Sequence, residues 1–517
     1  VNDPAAHHPA LTPDIALTPD IVQVKRLGTP GEFRDRLSVL GLDLPVADKV
    51  DPGGPLSSSL RLPRRSGFVS SDAAGTTDSG GLRIANRWAI LPMEGWDGTT
   101  DGRPTDLVRR RWRRFGASGA GLIWGGEAVA VVPEGRANPH QLCIGEHSAR
   151  DLGVLHDDLL SAHADAHGTE SAASLVIGLQ LTHSGRWSRP DGHPRPLAAY
   201  NHPILDDRVG HSAVSVVSDA YLDGLIESFV DAARVAAAVG FDFVDIKQCH
   251  GYLGHELLSA VGRPGPYGGG FAGRSAWVVA VASAIRSEVP GLTLGSRLSL
   301  YDLAPHIAGP DGIGIPEDRA PGFCFGGDGT GVGVDLTETH ELVDLLADHG
   351  IELLCATAAS PYYAPHAQRP AFFPPSDGYA PPADPLVEVA RMQAATREIT
   401  VAHPEMVVVG SGLTYCQDWL PNVAQSLIAD GWMHIVGIGR MALSHPGLPA
   451  DTLAGLSPTR RSVCRTFSDC TTAPRHGMVS GCYPLDEFYK ERPERAELAE
   501  VKRAARGATG ATRRKSE

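Results

Sequence analysis

The chain reads as an α/β protein: a (β/α)8 TIM barrel with an N-terminal extension, long βα loops and a C-terminal extension. Three observations predict this. From about Gly81, short β-branched runs alternate with longer amphipathic stretches, the signature of βαβ units around a parallel sheet, and eight such runs are enough to close a barrel. No run leads into a G-x-G-x-x-G turn with an acidic residue about 20 positions later, so the competing open doubly wound sheet lacks its dinucleotide fingerprint. Long Pro/Gly-rich insertions at 186–211, 304–334 and 360–383 follow run ends, where a barrel carries its lids and substrate loops.

In chain order, residues 1–80 form an extension rich in Pro, Asp, Gly and Ser, with one helix over Pro30 to Val39. The barrel occupies 81–456, with strands expected at Arg83 to Met93, Ala120 to Val131, Ala173 to His183, Phe241 to Cys249, Leu292 to Leu300, Ile351 to Thr357, Met406 to Gly410 and His434 to Ile438. Between them amphipathic periodicity predicts helices such as Asp106 to Phe115, Asp219 to Ala238, Arg274 to Ser287, Leu336 to His349, Pro385 to Ile399 and Cys416 to Ala429. Residues 457–517 form a C-terminal extension with a Cys-containing segment and a mixed-charge surface helix from Glu491.

A net charge of −14 argues against general nucleic-acid binding, which needs a basic footprint to displace phosphate counterions. No apolar run approaches the roughly 18 residues of a membrane span. The first residues show neither a basic nor an apolar leader region, so the expected location is the cytoplasm. Eight cysteines spread over 517 residues do not make a disulfide framework and read as reduced. Small-molecule chemistry is the expectation.

The chemistry concentrates in Asp245-Ile-Lys-Gln-Cys-His-Gly-Tyr252. Strand alternation puts Phe241, Phe243, Asp245 and Lys247 on one face and leaves Lys247 at the strand's C-terminal end. His250 and Tyr252 follow closely enough for a cation, an imidazole and a phenol to converge at a barrel mouth. Such groups grip a carbonyl or anionic oxygen and deliver a proton beside it. Two further segments, Val408-Val-Gly410-Ser411-Gly412 and Gly437-Ile-Gly439-Arg440, are glycine turns after the last two strands, where barrels place phosphate. Arg440 adds a fork matched to phosphate oxygens.

The first segment with its continuation, Leu253-Gly-His-Glu-Leu-Leu-Ser-Ala260, Arg263, Tyr267-Gly-Gly269 and Arg274, resembles the catalytic stretch of the Old Yellow Enzyme family of flavin oxidoreductases. The resemblance extends from about Gly81 to Tyr489. It implies noncovalent FMN, reduced by NADH or NADPH, and hydride transfer from flavin N5 to an activated alkene. Lys247 and His250 would be the oxygen grip and Tyr252 the proton donor. Pro92 and Met93 resemble the strand that passes the flavin ring, Ala128 lies where the family's second strand nears a flavin carbonyl, and Gln180 and Arg297 match its pyrimidine amide and N1/O2 cation. The phosphate would rest on Gly410, Ser411, Gly412, Gly439 and Arg440.

Two positions depart from the family. Lys247 stands where an aromatic donor is usual, bringing a mobile point charge suited to anionic oxygens, with an ion pair to Asp245 as the purely structural reading. Glu94 replaces a small residue that tunes the flavin. It either sets redox potential or contacts substrate, or it turns outward and Gly95 takes the space. Cys464, Cys470, Cys482 and His476 allow a zinc site chemically, but a structural role leads, and three thiols cannot complete the four-cysteine cluster set of some relatives. No metal is expected.

Two other readings stay open at this level: a flavin-dependent amine or N-methyl dehydrogenase, with Trp96, Trp124 and Trp187 near loop mouths as a cation cage, and a non-catalytic flavin-binding redox sensor. The partners implied are a small-molecule substrate and a nicotinamide dinucleotide, with no nucleic acid and no membrane. A homo-oligomer is compatible with the chain.

Overall fold

Eight parallel strands close on themselves in the computed structural model, which describes residues 21–62, 81–317 and 323–513. They are β1 (Trp88–Ile90), β2 in two pieces (Leu122–Ile123 and Ala128–Ala130), β3 (Val176–Thr182), β4 (Phe243–Ile246), β5 (Thr293–Ser299), β6 (Ile351–Thr357), β7 (Val407–Gly410) and β8 (Ile435–Ile438). Strand β8 pairs with β1, and the first piece of β2 bridges β1 and β3, so the sheet has no edge. The remaining ladders run in chain order from β3 to β8.

The expected strands are present but most are shorter than expected, and three depart for identifiable local reasons. Arg83 to Met93 is not one strand: Arg83–Ile84 pairs antiparallel with Leu60–Arg61, then Asn86 Oδ1 accepts from the N–H groups of Trp88 and Gly121 and turns the chain into β1. Ala120 to Val131 breaks at Gly125 and Gly126. Gly125 has φ of +153°, and a Cβ on Gly126 would lie 2.1 Å from the Trp112 ring. Phe241 precedes β4 and packs outside the sheet, edge-on to Trp112 and His156, so the inward face begins at Phe243.

The helices α1 (Asp106–Gly116), α2 (Ala149–His167), α3 (Asp219–Ala238), α4 (Phe271–Glu288), α5 (Thr337–Asp348), α6 (Pro385–Ala402) and α7 (Leu420–Ala429) ring the strands. Ser218 and Asp384 cap α3 and α6 through their side chains. The helix expected from Cys416 starts only at Leu420, because Gln417 adopts φ of +51° and kinks the preceding 3-10 turn. No helix among the described residues is long and apolar enough to cross a membrane.

The barrel interior is a packed layer of Ala89, Leu122, Trp124, Phe243, Leu353, Val409 and Ile435. Trp124 and Phe243 meet edge to face at 5.2 Å, and Gly178 makes room, since a Cβ there would sit 2.1 Å from the Phe243 ring. This layer is the floor on which the mouth stands.

The N-terminal helix Pro30–Val39 is capped by Thr29 and tied to the start of α6 by Arg36 and Asp384. Residues 1–20 and 63–80 of that extension, and the last residues of the tail, 514–517, lie outside the described residues. The tail helix runs over Glu494–Arg513.

Candidate active site

A cavity of about 490 Å³ opens at the C-terminal ends of the strands, within the size range of small-molecule sites. The residues the sequence assigns to catalysis or cofactor binding line it, except Gly410: Pro92, Met93, Glu94, Ala128, Gln180, Lys247, His250, Tyr252, Arg297, Ser411, Gly412, Gly439 and Arg440. Gly410 stays in β7, where its Cα packs against Met433 and a Cβ would come within 2.3 Å of that sulfur.

Asp245 organises the floor of the site. One of its carboxylate oxygens accepts from Trp124 Nε1 at 2.6 Å and from Gln180 Nε2 at 2.5 Å, and the other accepts the Arg297 backbone N–H at 2.7 Å. These three donors come from β2, β3 and β5, so one buried carboxylate sets the orientation of both Gln180 and the β5 backbone. Burial raises the Asp245 pKa, and those three hydrogen bonds oppose the shift. With its oxygens engaged, Asp245 is not the partner of Lys247.

Lys247 instead lies with Nζ 3.8 Å from the centroid of the Tyr252 ring. Burial depresses its pKa, and the largest opposing charge is Glu94. The chain then turns sharply: His250 has φ of +68° and Gly251 +75°, two consecutive left-handed residues that deliver Tyr252 to the start of the short helix Leu253–Leu258. His250 Nε2 is 3.1 Å from the Gln368 amide nitrogen. Burial holds its pKa well below the ordinary value, so the ring is neutral; with Nε2 accepting, the proton sits on Nδ1.

Glu94 turns inward. Its two carboxyl oxygens lie 2.6 and 2.5 Å from the Tyr252 hydroxyl, which also meets the Tyr362 hydroxyl at 2.9 Å. Glu94 is half-buried and exposed to the cavity, and burial raises its pKa while Lys247 and the two phenols pull the other way. Gly95 is small because Glu127 occupies the space beside it, with Glu127 Oε2 2.2 Å from where a Cβ would stand.

At the β7–β8 end, Gly412 adopts φ of +85° and Ser411 Oγ donates to the Ala356 carbonyl. Two half-buried guanidiniums converge there, Arg440 and Arg369, and the one carboxylate acting on Arg369, Asp377, only partly offsets the lowering of its pKa. Arg440 spends Nη2 on the Pro370 carbonyl at 3.0 Å, while its Nη1 has no hydrogen-bond partner. Arg369 gives one N–H to Thr471, and its Nε and second Nη have none. Burial pushes Arg369 down to about 9, with Arg475 and Arg440 adding repulsion. Arg297 likewise presents an unpartnered Nε. Cations with buried, idle donor atoms suit a polar, anionic ligand.

Several lining residues escaped the reading of the sequence. Tyr362, Gln368 and Arg369 come from the β6–α6 loop, Arg189 from the β3–α3 loop, and Thr471, Arg475 and Ser480 from the C-terminal extension, which forms one wall. Trp187 stacks on Tyr362 at 4.3 Å and 8°. Only the Pro361-Tyr-Tyr363 cluster, in a loop already marked as an insertion, offered a signal. The β3 loop is held by Arg186, fully buried between Asp206 and Glu256.

Trp124, expected at a loop mouth, lies inside the barrel, whereas Trp96 and Trp187 do line the cavity. Cys464, Cys470, Cys482 and His476 do not gather into a ligand cluster among the described residues. The one group that brings three metal-type ligand atoms together there, Asp344, His403 and Glu405, is outside the cavity, on α5 and just beyond α6.

Residues 78–308 match the model of the NADH:flavin oxidoreductase / NADH oxidase family. The NADPH dehydrogenase of Geobacillus thermodenitrificans (strain NG80-2) is 29% identical over 244 residues, which is 46% of this chain and 64% of that protein. The NADPH dehydrogenase of Geobacillus sp. (strain WCH70) is 31% identical over 234 residues, 44% of this chain and 62% of that protein. The chain thus spans less than two thirds of the length of these relatives. In fold, it is similar to an old yellow enzyme homologue from Zymomonas mobilis, with a TM-score of 0.51, 19% identity, and coverage of 79% of this chain and 98% of that one.

Proposed function

For a chain that belongs over residues 78–308 to the NADH:flavin oxidoreductase / NADH oxidase family, we propose an NAD(P)H-dependent flavin oxidoreductase that holds FMN noncovalently and reduces an activated C=C bond. One observation carries this reading. Polar groups suited to the different parts of FMN line a single cavity, Gln180 and Arg297 on one side and the idle N–H groups of Arg369 and Arg440 with the Gly412 turn on the other. The fit is chemical: an amide and a cation for the pyrimidine edge, and two cations with glycine backbone for a phosphate.

When bound, FMN supplies the two-electron chemistry, taking hydride from a reduced nicotinamide and passing it to the alkene β-carbon. The chain's own residues do the rest. Gln180, fixed through its amide nitrogen to Asp245, has its carbonyl oxygen left to accept a ring N–H. Lys247 and the Nδ1–H of His250 hold the substrate's carbonyl oxygen and stabilise the negative charge that develops on it. The Tyr252 hydroxyl gives a proton to the α-carbon. Trp187 and Tyr362 exclude water from that side.

The alternative of amine oxidation is disfavoured by the cavity's charge. Lys247, Arg189, Arg369 and Arg475 all line it, and a cationic substrate meets them directly. Anaerobic mixing decides: NAD(P)H bleaches the FMN-loaded protein and an enone restores the colour, with restoration on the order of 100-fold slower in Tyr252→Phe. Bleaching by an amine instead, or no bleaching by either reductant, overturns the proposal in favour of oxidation or of binding without turnover.

A further inference from the structure

We propose that Glu94 re-protonates Tyr252, so that protons reach the substrate along a two-carrier line from Glu94 to Tyr252 to carbon. The inference rests on the reading of Tyr252 as proton donor. It departs from the expectation that Glu94 acts on the flavin or on substrate directly.

Both Glu94 oxygens are within hydrogen-bond distance of one hydroxyl, that of Tyr252, which is 2% exposed. Once that hydroxyl has given up its hydrogen, the resulting phenolate is nearly inaccessible beside the Tyr362 ring, and the groups in reach to refill it are those hydrogen-bonded to it. Its hydrogen-bonded neighbours are Glu94 and Tyr362. A second phenol only exchanges one phenolate for another, whereas a carboxylic acid is a far stronger acid than a phenol and drives the transfer. Glu94 also faces the cavity, where it can take up a proton from water.

The charges around Glu94 come from every side. Lys247 from β4 and the phenols of Tyr252 and Tyr362 pull its pKa down, and burial pushes it up by more. Glu127 on β2 interacts with it by like charge, itself paired with Arg111 of α1, which also holds Asp97. Lys247, with its ammonium over the Tyr252 ring, stabilises the phenolate between the two transfers.

The steps balance. The hydride that bound FMN would supply forms the β-carbon C–H bond, and the substrate is left as an enolate. The Tyr252 O–H bond breaks as the α-carbon C–H bond forms. The Glu94 O–H bond then breaks as the phenol is restored, and the Glu94 carboxylate takes a proton from water.

Glu94→Gln keeps the shape and a hydrogen bond to Tyr252 but cannot release a proton. In the FMN-loaded protein, reoxidation by an enone becomes on the order of 100-fold slower, and its decline as pH rises through the Glu94 titration disappears. In the Tyr252→Phe background the same change adds little, because the line is already cut. In the FMN-free chain, infrared spectroscopy shows a protonated-carboxyl carbonyl band at acid pH that is lost in Glu94→Gln and persists above the ordinary carboxylate range in the parent. A Glu94→Gln protein with unchanged reoxidation and the same alkaline limb sinks the relay, as does a full effect persisting in Tyr252→Phe, or a carboxyl that ionises at its ordinary pH. Failure of the parent to bind FMN or to bleach with NAD(P)H defeats the functional reading instead, and the infrared result still judges Glu94.

Discussion

Arg440→Ala tests whether the two unpaired guanidiniums form a phosphate site. Arg440 is half-buried, with Nη2 donating to the Pro370 carbonyl at 3.0 Å and a buried Nη1 idle. The substitution therefore removes one charge-assisted hydrogen bond to a bound anion, about 1.5–3 kcal/mol, which is roughly a 10- to 150-fold weaker Kd. Part of that loss is offset because Arg369 sheds the repulsion of a neighbouring cation, so the observed change belongs near the lower end. Titration of the flavin-free protein by fluorescence quenching, with FMN and then with riboflavin, isolates the effect. Riboflavin carries the same ring without the phosphate, so its affinity stays within about twofold, a small fraction of the energy of such a bond. Equal losses for both ligands, or no loss for FMN, refute the assignment.

Two further outcomes follow from buried charge. A bound phosphate favours the charged form of Arg369, whose pKa is lowered to about 9 in the free chain. FMN affinity is accordingly flat below that value and falls as pH rises through it, while riboflavin affinity does not follow; isothermal titration across the alkaline range checks this, and parallel pH curves contradict it. Arg186→Met strands the buried carboxylates of Asp206 and Glu256 and costs about 3–5 kcal/mol, read as a lower urea midpoint; an unchanged midpoint shows that the ion triad does not hold the β3 loop.

Much of the fold was legible because it is written in short-range pattern. Eight apolar runs at strand length, separated by helical periodicity, specify βα units, and the missing dinucleotide fingerprint favours a closed barrel over an open doubly wound sheet. The candidate site was legible for a related reason. Residues at the C-terminal ends of parallel strands converge on one mouth whatever lies between them, so position grouped Lys247 and Arg440, and the family resemblance added Gln180 and Arg297 at other strand ends.

What pattern could not specify is which side chain meets which. Asp245 and Lys247 share one face of a strand, yet donors from three other strands claim the carboxylate and a ring claims the ammonium. Glu94 had two equal fates in the sequence, and a phenol 158 residues away chose between them. Arg369 and the wall from the C-terminal extension lie in segments without periodicity, where placement depends on packing against distant surfaces. The barrel and the strand ends that face its mouth were thus written in the order of residues, since both follow from local repeat and chain direction. The partners of the buried charges emerged only in the folded molecule, because each pairing is set by the desolvation and packing of groups far apart in the chain.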